Sequence, residues 1–75
     1  MPRQITKRSI VVGERKTSVS LETEFFEALK NIAHRERKPL SALVREIDTS
    51  RPYGANLSSA IRLYVLADLQ QRLEA

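Results

Sequence analysis

The chain has no cysteine and no tryptophan, one histidine, two glycines and three prolines in 75 residues. Without cysteine it has neither disulfides nor thiolate metal sites, and His34 has no carboxylates at ligand spacing with which to build a zinc site. No run approaches the ~18 apolar residues of a membrane span, and the opening MPRQITKRSI lacks the apolar core of a signal peptide. The expectation is a soluble protein with a cytoplasmic location and no membrane partner. Catalysis is as poorly supplied, with no glycine-rich phosphate loop and no paired carboxylates beside a plausible cleft. Glu46 and Asp48 lie two apart on a helical segment and so face different ways, and His34 reads as a solvent-facing helical residue. The sequence therefore predicts no enzyme, no metal and no cofactor.

What is present is an ordinary globular balance, 41% hydrophobic and 29% charged. A chain this short buries only about 60% of the surface its unfolded form exposes. The missing stability is expected to come from partner chains, in an obligate oligomer.

The charge is unevenly placed. Arg3, Lys7, Arg8, Arg15 and Lys16, against Glu14 alone, carry the entire net charge of +4, and the eight basic and eight acidic residues that follow cancel. A dimer would present this cluster twice. Clustered cations are the footprint of a polyanion binder, because each neutralised phosphate releases counterions.

Residues 1–7 read as a flexible arm, with Pro2 and no apolar periodicity. Ser9 to Val12 and Thr17 to Leu21 are rich in β-branched residues, with Gly13-Glu14 able to turn the chain between them. In the second run Thr17, Val19 and Leu21 point one way and Lys16, Ser18 and Ser20 the other, the period of a half-buried strand. So short a strand is not stable alone, and the expected partner is the same strand of another copy. Residues 8–15 either fold back as a second strand, with 8–12 the candidate, or order only on a partner.

Phe25, Phe26, Leu29, Ile32 and Ala33 form the apolar stripe of a helix over 23–36, with Glu22 at its cap and Leu21 placed to staple against Phe26. Pro39 ends that helix and suits the first position of a second one, with Leu40, Leu43, Val44 and Ile47 on its apolar side and its end near 48–50. TSRPYGAN is the strongest loop signal. Asn56 or Ser58 then caps a helix over 57–73 whose Leu57, Ala60, Ile61, Tyr64 and Val65, with the row Leu63, Leu66, Leu69 and Leu73, cover more than one stripe. Such a helix is expected to pack on two sides.

KTSVSLETEFFEALKNIA followed by PLSALVREI resembles the ribbon-helix-helix DNA-binding family, the class of the Arc and methionine repressors. The EID, loop and NLSSAIRLYVL pattern is similar to a bacterial branch of that family with an additional C-terminal helix. The resemblance implies a mainly α chain with one short N-terminal strand. It implies an intertwined homodimer whose two strands form an antiparallel ribbon over a core of Val19, Leu21, Phe26, Leu29, Ile32, Leu43, Val44 and Ile47. The organisation would be a basic arm over 1–15, a core over 16–50, and a loop and helix over 51–75 that serve oligomer packing, up to a tetramer or higher.

A two-stranded ribbon fits a major groove about 12 Å wide. In such a dimer Lys16, Ser18 and Ser20 face the bases, lysine donating to guanine and the serines giving or accepting. The candidate phosphate contacts are Arg8 and Arg15, the backbone amides of Leu40 and Ser41 at a helix start, and Arg37 and Lys38 beside them. The chain departs from the family pattern at Arg37, where many relatives carry glycine, and at Pro39, where many carry serine or threonine. The leading expectation is a sequence-specific regulator of double-stranded DNA, acting as a repressor. The alternatives are an antitoxin that binds a toxin partner through its C-terminal part, and an architectural protein that coats DNA.

Overall fold

The computed structural model describes residues 5–74, and the reading of residues 1–4 as a flexible arm lies outside the described residues. The element order is β1 (Ile5–Val12), β2 (Arg15–Glu22), α1 (Thr23–Arg35), α2 (Leu40–Ser50) and α3 (Leu57–Glu74). The architecture is a two-stranded antiparallel ribbon followed by two helices, with an additional C-terminal helix.

The ribbon is a hairpin of a single chain. Gly13 sits at φ +63°, a conformation open to glycine at no steric cost, and it leads the two-residue turn Gly13-Glu14 in the Gly-X order that suits the twist of a hairpin. The register runs from Val12 opposite Arg15 to Ile5 opposite Glu22. One alternative is settled and one expectation is corrected here. Within the chain β2 pairs with β1, which takes in the second strand expected over 8–12, and residues 5–7 belong to β1 and not to an arm. Eight paired residues on each strand, closed by a tight turn, give β2 a local partner at far lower loop-closure entropy than a separate chain would require. The single short strand therefore becomes two.

Period-two alternation decides which face is buried. Ile10, Val12, Val19 and Leu21 point inward and are buried, while Lys7, Ser9, Val11, Lys16, Ser18 and Ser20 are exposed on the other face. Beneath the inner face lie α2 against β1, and α1 and α3 against β2. Leu29, Ile32 and Ala33 from α1, Leu43, Val44 and Ile47 from α2, and Ile61 and Val65 from α3 complete one core. Leu21, Leu29, Leu43, Ile61, Val19 and Val44 are fully enclosed, each contributing about 1.5–3 kcal/mol by leaving water. Residues expected to form a dimer core are thus buried within one chain. Phe26 is the exception, half-buried at the edge of that core.

The α1–α2 turn is a Schellman motif. The Lys38 amide donates to the Ala33 carbonyl at 3.0 Å and the Arg37 amide to the His34 carbonyl at 3.1 Å. Arg37 takes the left-handed position of that motif at φ 57°, the place glycine normally fills. Pro39 sits at the N-cap of α2, one position earlier than the sequence suggested, and its carbonyl accepts from Ala42 and Leu43. Glu22 holds the N-cap position of α1 with extended backbone but makes no capping hydrogen bond. Asn56 does cap, its Oδ1 accepting from the amides of Ser58 at 2.8 Å and Ser59 at 3.3 Å.

Candidate nucleic-acid interface

The outer face of the ribbon carries four cross-strand pairs: Ile5 with Glu22, Lys7 with Ser20, Ser9 with Ser18, and Val11 with Lys16. Lys16, Ser18 and Ser20, the expected base-facing residues, are all exposed on this face. Lys7, Ser9 and Val11 of β1 stand beside them, and Val11 is 52% exposed although it lies in a strand with a buried face. Sequence reasoning did not include these three, although the same period-two alternation continued back through the Gly13-Glu14 turn would have found them.

The free edge of β2 is partly closed. Ser20 donates its amide to Ser58 Oγ at 3.0 Å, and its carbonyl accepts from Arg62 Nη2 at 2.9 Å. Arg62 Nε also donates to Glu22 Oε1 at 2.9 Å. The start of α3 therefore satisfies both backbone groups that Ser20 turns away from β1.

The cations divide into two sets. Arg15 pairs with Asp48 at 3.0 Å, Arg51 with the same carboxylate group at 2.7 Å, and Arg72 with Asp68 at 3.2 Å. Arg35 also pairs with Asp68, and this hydrogen bond holds its guanidinium more firmly protonated than an ordinary arginine. Lys38 reaches Glu46 at 2.6 Å and Glu36 at 3.3 Å. The hydrogen bond that Lys38 donates to Glu46 raises its pKa above the ordinary lysine value. Among the described residues, Lys7, Lys16, Arg37 and Arg45 make no ion pair. Lys7 and Lys16 occupy the outer face of the ribbon, Arg37 the α1–α2 turn and Arg45 the side of α2 nearest the hairpin tip.

The expected phosphate contacts therefore separate. Arg37 is exposed and unpaired. Leu40 and Ser41 lie before Ala42, the first amide bonded within the α2 turn, so their amides point out of the helix start. Lys38 is instead committed to two carboxylates, and Arg15 to one. Arg8 faces the core side of the ribbon, opposite Val19, with its guanidinium carbon 4.0 Å from the centre of the Phe26 ring. Its aliphatic stem and planar head are used to cover an aromatic edge of the core. A candidate that sequence reasoning missed is Arg45, which with Ser41 lines a cleft against Val11 and Gly13. The spacing Ser41–Arg45 is one helical turn, but without the hairpin docked on α2 nothing in the sequence marks that face.

A two-stranded ribbon with a polar, cationic outer face, carried on a helix pair joined by a Schellman turn, is the arrangement found. The ribbon-helix-helix domain family matches residues 5–69. The chain belongs to the ribbon-helix-helix family. No curated protein and no solved structure matches it. The matched span takes in both strands, α1, α2 and most of α3. As a ribbon-helix-helix protein the chain is a member of a family of DNA-binding regulators. Among the described residues, no helix is long and apolar enough to cross a membrane.

Proposed function

We propose that this ribbon-helix-helix protein is a sequence-specific, double-stranded DNA-binding repressor of bacterial transcription. It would act in the cytoplasm, occluding promoter DNA with its ribbon in the major groove. The observation that carries the reading is the outer ribbon face. Lys16, Ser18 and Ser20 are exposed there, and among the described residues both lysines of that face make no ion pair. Arg37, the Leu40 and Ser41 amides and Arg45 would take the flanking phosphates, which fix position without reading sequence.

The protein would act as a homodimer. Leu63, Leu66, Leu69 and Leu73 are 66%, 46%, 44% and 77% exposed on α3, on the side away from buried Ile61 and Val65. Two copies joined in this way bind two half-sites of one operator.

The test is fluorescence anisotropy with the DNA upstream of the protein's own gene against a scrambled duplex at about 0.15 M salt. Binding of the upstream fragment that is 10-fold or more tighter than the scramble is the expected result. Equal, weak binding to both would overturn sequence reading and leave only charge attraction.

A further inference from the structure

We propose that the cleft between the hairpin tip and α2 binds a small organic phosphate monoester, and that this ligand and DNA compete for Arg45. The competition rests on the DNA-binding reading above, whereas the ligand site does not.

The cleft holds about 680 Å³, within the range of small-molecule sites. Val11 and Gly13 of the hairpin form one wall, and Ser41, Ala42, Arg45 and Thr49 of α2 form the other. Ser41, Arg45 and Thr49 follow one another at intervals of four residues, so they stand in a row along α2, about 6 Å from one to the next.

The charge left over in this cleft is positive. Arg45 makes no ion pair among the described residues. Its guanidinium is nonetheless placed against the turn, with Cζ 3.8 Å from the point a Cβ on Gly13 would occupy. Glu46 also lines the cleft, but Lys38 meets its carboxylate at 2.6 Å, and Ser50 Oγ is committed to the Glu46 carbonyl at 2.9 Å. Two other clefts contain an arginine, and in both it is already engaged: Arg62 with Glu22 and the Ser20 carbonyl, Arg51 with Asp48 and the Ala55 carbonyl.

The donors select the ligand. A guanidinium fork takes two oxygens of one phosphate, and a monoester, nearly doubly charged at neutral pH, is drawn to it about twice as strongly as a carboxylate. Ser41 and Thr49 lie about 12 Å apart along the helix, too far to share that phosphate. The ligand therefore meets Arg45 and one hydroxyl with its phosphate and the other hydroxyl with a polar group of its body, while Val11 and Ala42 cover an apolar part. One guanidinium cannot serve two phosphates, so the ligand weakens DNA binding, and DNA weakens ligand binding by the same factor. Val11, on the outer ribbon face and in the cleft wall at once, marks where the two occupants meet.

The experiment is an NMR titration of the full chain, followed at its backbone amides, with adenosine monophosphate, inorganic phosphate and adenosine as probes. It is repeated on Arg45→Gln, an exposed position whose fold is checked by circular dichroism melts. Adenosine monophosphate should shift Gly13, Ala42, Arg45 and Thr49 saturably, and adenosine should not saturate. The nucleotide should bind about 10-fold or more tighter than inorganic phosphate and lose about 10-fold or more in Arg45→Gln. No saturable change, shifts centred on Lys7, Lys16 and Arg37, unaltered affinity in Arg45→Gln, or inorganic phosphate as tight as the nucleotide would each overturn the site. In the anisotropy assay, saturating nucleotide should weaken wild-type binding to the upstream DNA about 5-fold or more and leave the weaker binding of Arg45→Gln unchanged. If the nucleotide fills the cleft and DNA affinity stays the same, the competition is overturned and the site stands. If the wild-type chain does not prefer the upstream DNA, the DNA-reading function is overturned, while the titration, which contains no DNA, still decides the site.

Discussion

Arg62 on α3 grips β2 at two positions, donating through Nη2 to the Ser20 carbonyl and through Nε to the Glu22 carboxylate, each at 2.9 Å. Two acceptors met by one planar fork make a geometry that lysine, with a single ammonium, does not reproduce. Arg62→Ala is expected to lower stability by about 1–2 kcal/mol, because charged hydrogen bonds are worth more than neutral ones but solvent screens this partly exposed pair. Arg62→Lys should recover less than half of the loss. Urea unfolding followed by circular dichroism measures both variants, and wild-type stability in Arg62→Ala would show that the clasp contributes nothing.

Arg37 at φ 57° carries the steric cost of a left-handed L-residue, about 1–2 kcal/mol. Glycine removes that cost and gives back part of it as unfolded-chain entropy. Arg37→Gly should therefore gain about 0.5–1 kcal/mol in stability. It should also reduce the slope of log affinity against log salt by about one, if its guanidinium neutralises one phosphate. Denaturant midpoints and a salt titration read the two effects separately.

Leu43 and Leu66 are both leucines on helices, yet one is fully buried and the other 46% exposed. Leu43→Ala opens a cavity in the centre of the core and should cost about 2–5 kcal/mol, a large share of what a domain of this size holds. Leu66→Ser combined with Leu69→Ser should leave the fold of the single chain intact and shift the assembly towards the monomer. Sedimentation across a dilution series distinguishes them, and an unchanged mass in the double variant would remove α3 as the dimer surface.

Lys38 and Tyr64 both have pKa values raised in the folded protein, Lys38 mainly by its hydrogen bond to Glu46 and Tyr64 mainly by burial. In each case the folded state holds its proton more tightly than the unfolded chain. The stabilising effect is therefore complete below the ordinary pKa values near 10 and is lost as pH rises through the folded ones. Thermal midpoints are expected to fall as the pH rises above about 10, less steeply in Lys38→Met and in Tyr64→Phe. A wild-type profile no steeper than either variant would contradict this assignment.

Much of the fold is legible residue by residue. The alternation of Thr17, Val19 and Leu21 announces a half-buried strand, the Phe26, Leu29, Ile32 and Ala33 spacing announces α1, and Asn56 is placed to cap α3, as it does. Gly13 marks the turn. Each of these is a local signal, carried by side-chain period or by one residue's backbone preference, so it survives without knowledge of what packs against it. The candidate interface is less legible. Lys16, Ser18 and Ser20 follow from alternation alone, whereas Lys7, Ser9 and Val11 join them only once the register is known. Arg45 becomes a candidate only when α2 docks beneath the hairpin tip.

The sequence by itself determined the element types, the inward faces of the strands and helices, the turn at Gly13 and the N-terminal concentration of positive charge, because these depend on residues close in the chain. Tertiary structure alone decided that β2 pairs with β1 and that Ser20 is closed off by Ser58 and Arg62. It also decided which cations are spent: Arg8 on Phe26, Arg15 on Asp48, Lys38 on Glu46 and Glu36. A charge count cannot make that distinction, since whether a lysine or arginine is available to a phosphate depends on carboxylates and rings brought near it by folding, 33 residues away in the case of Arg15 and Asp48.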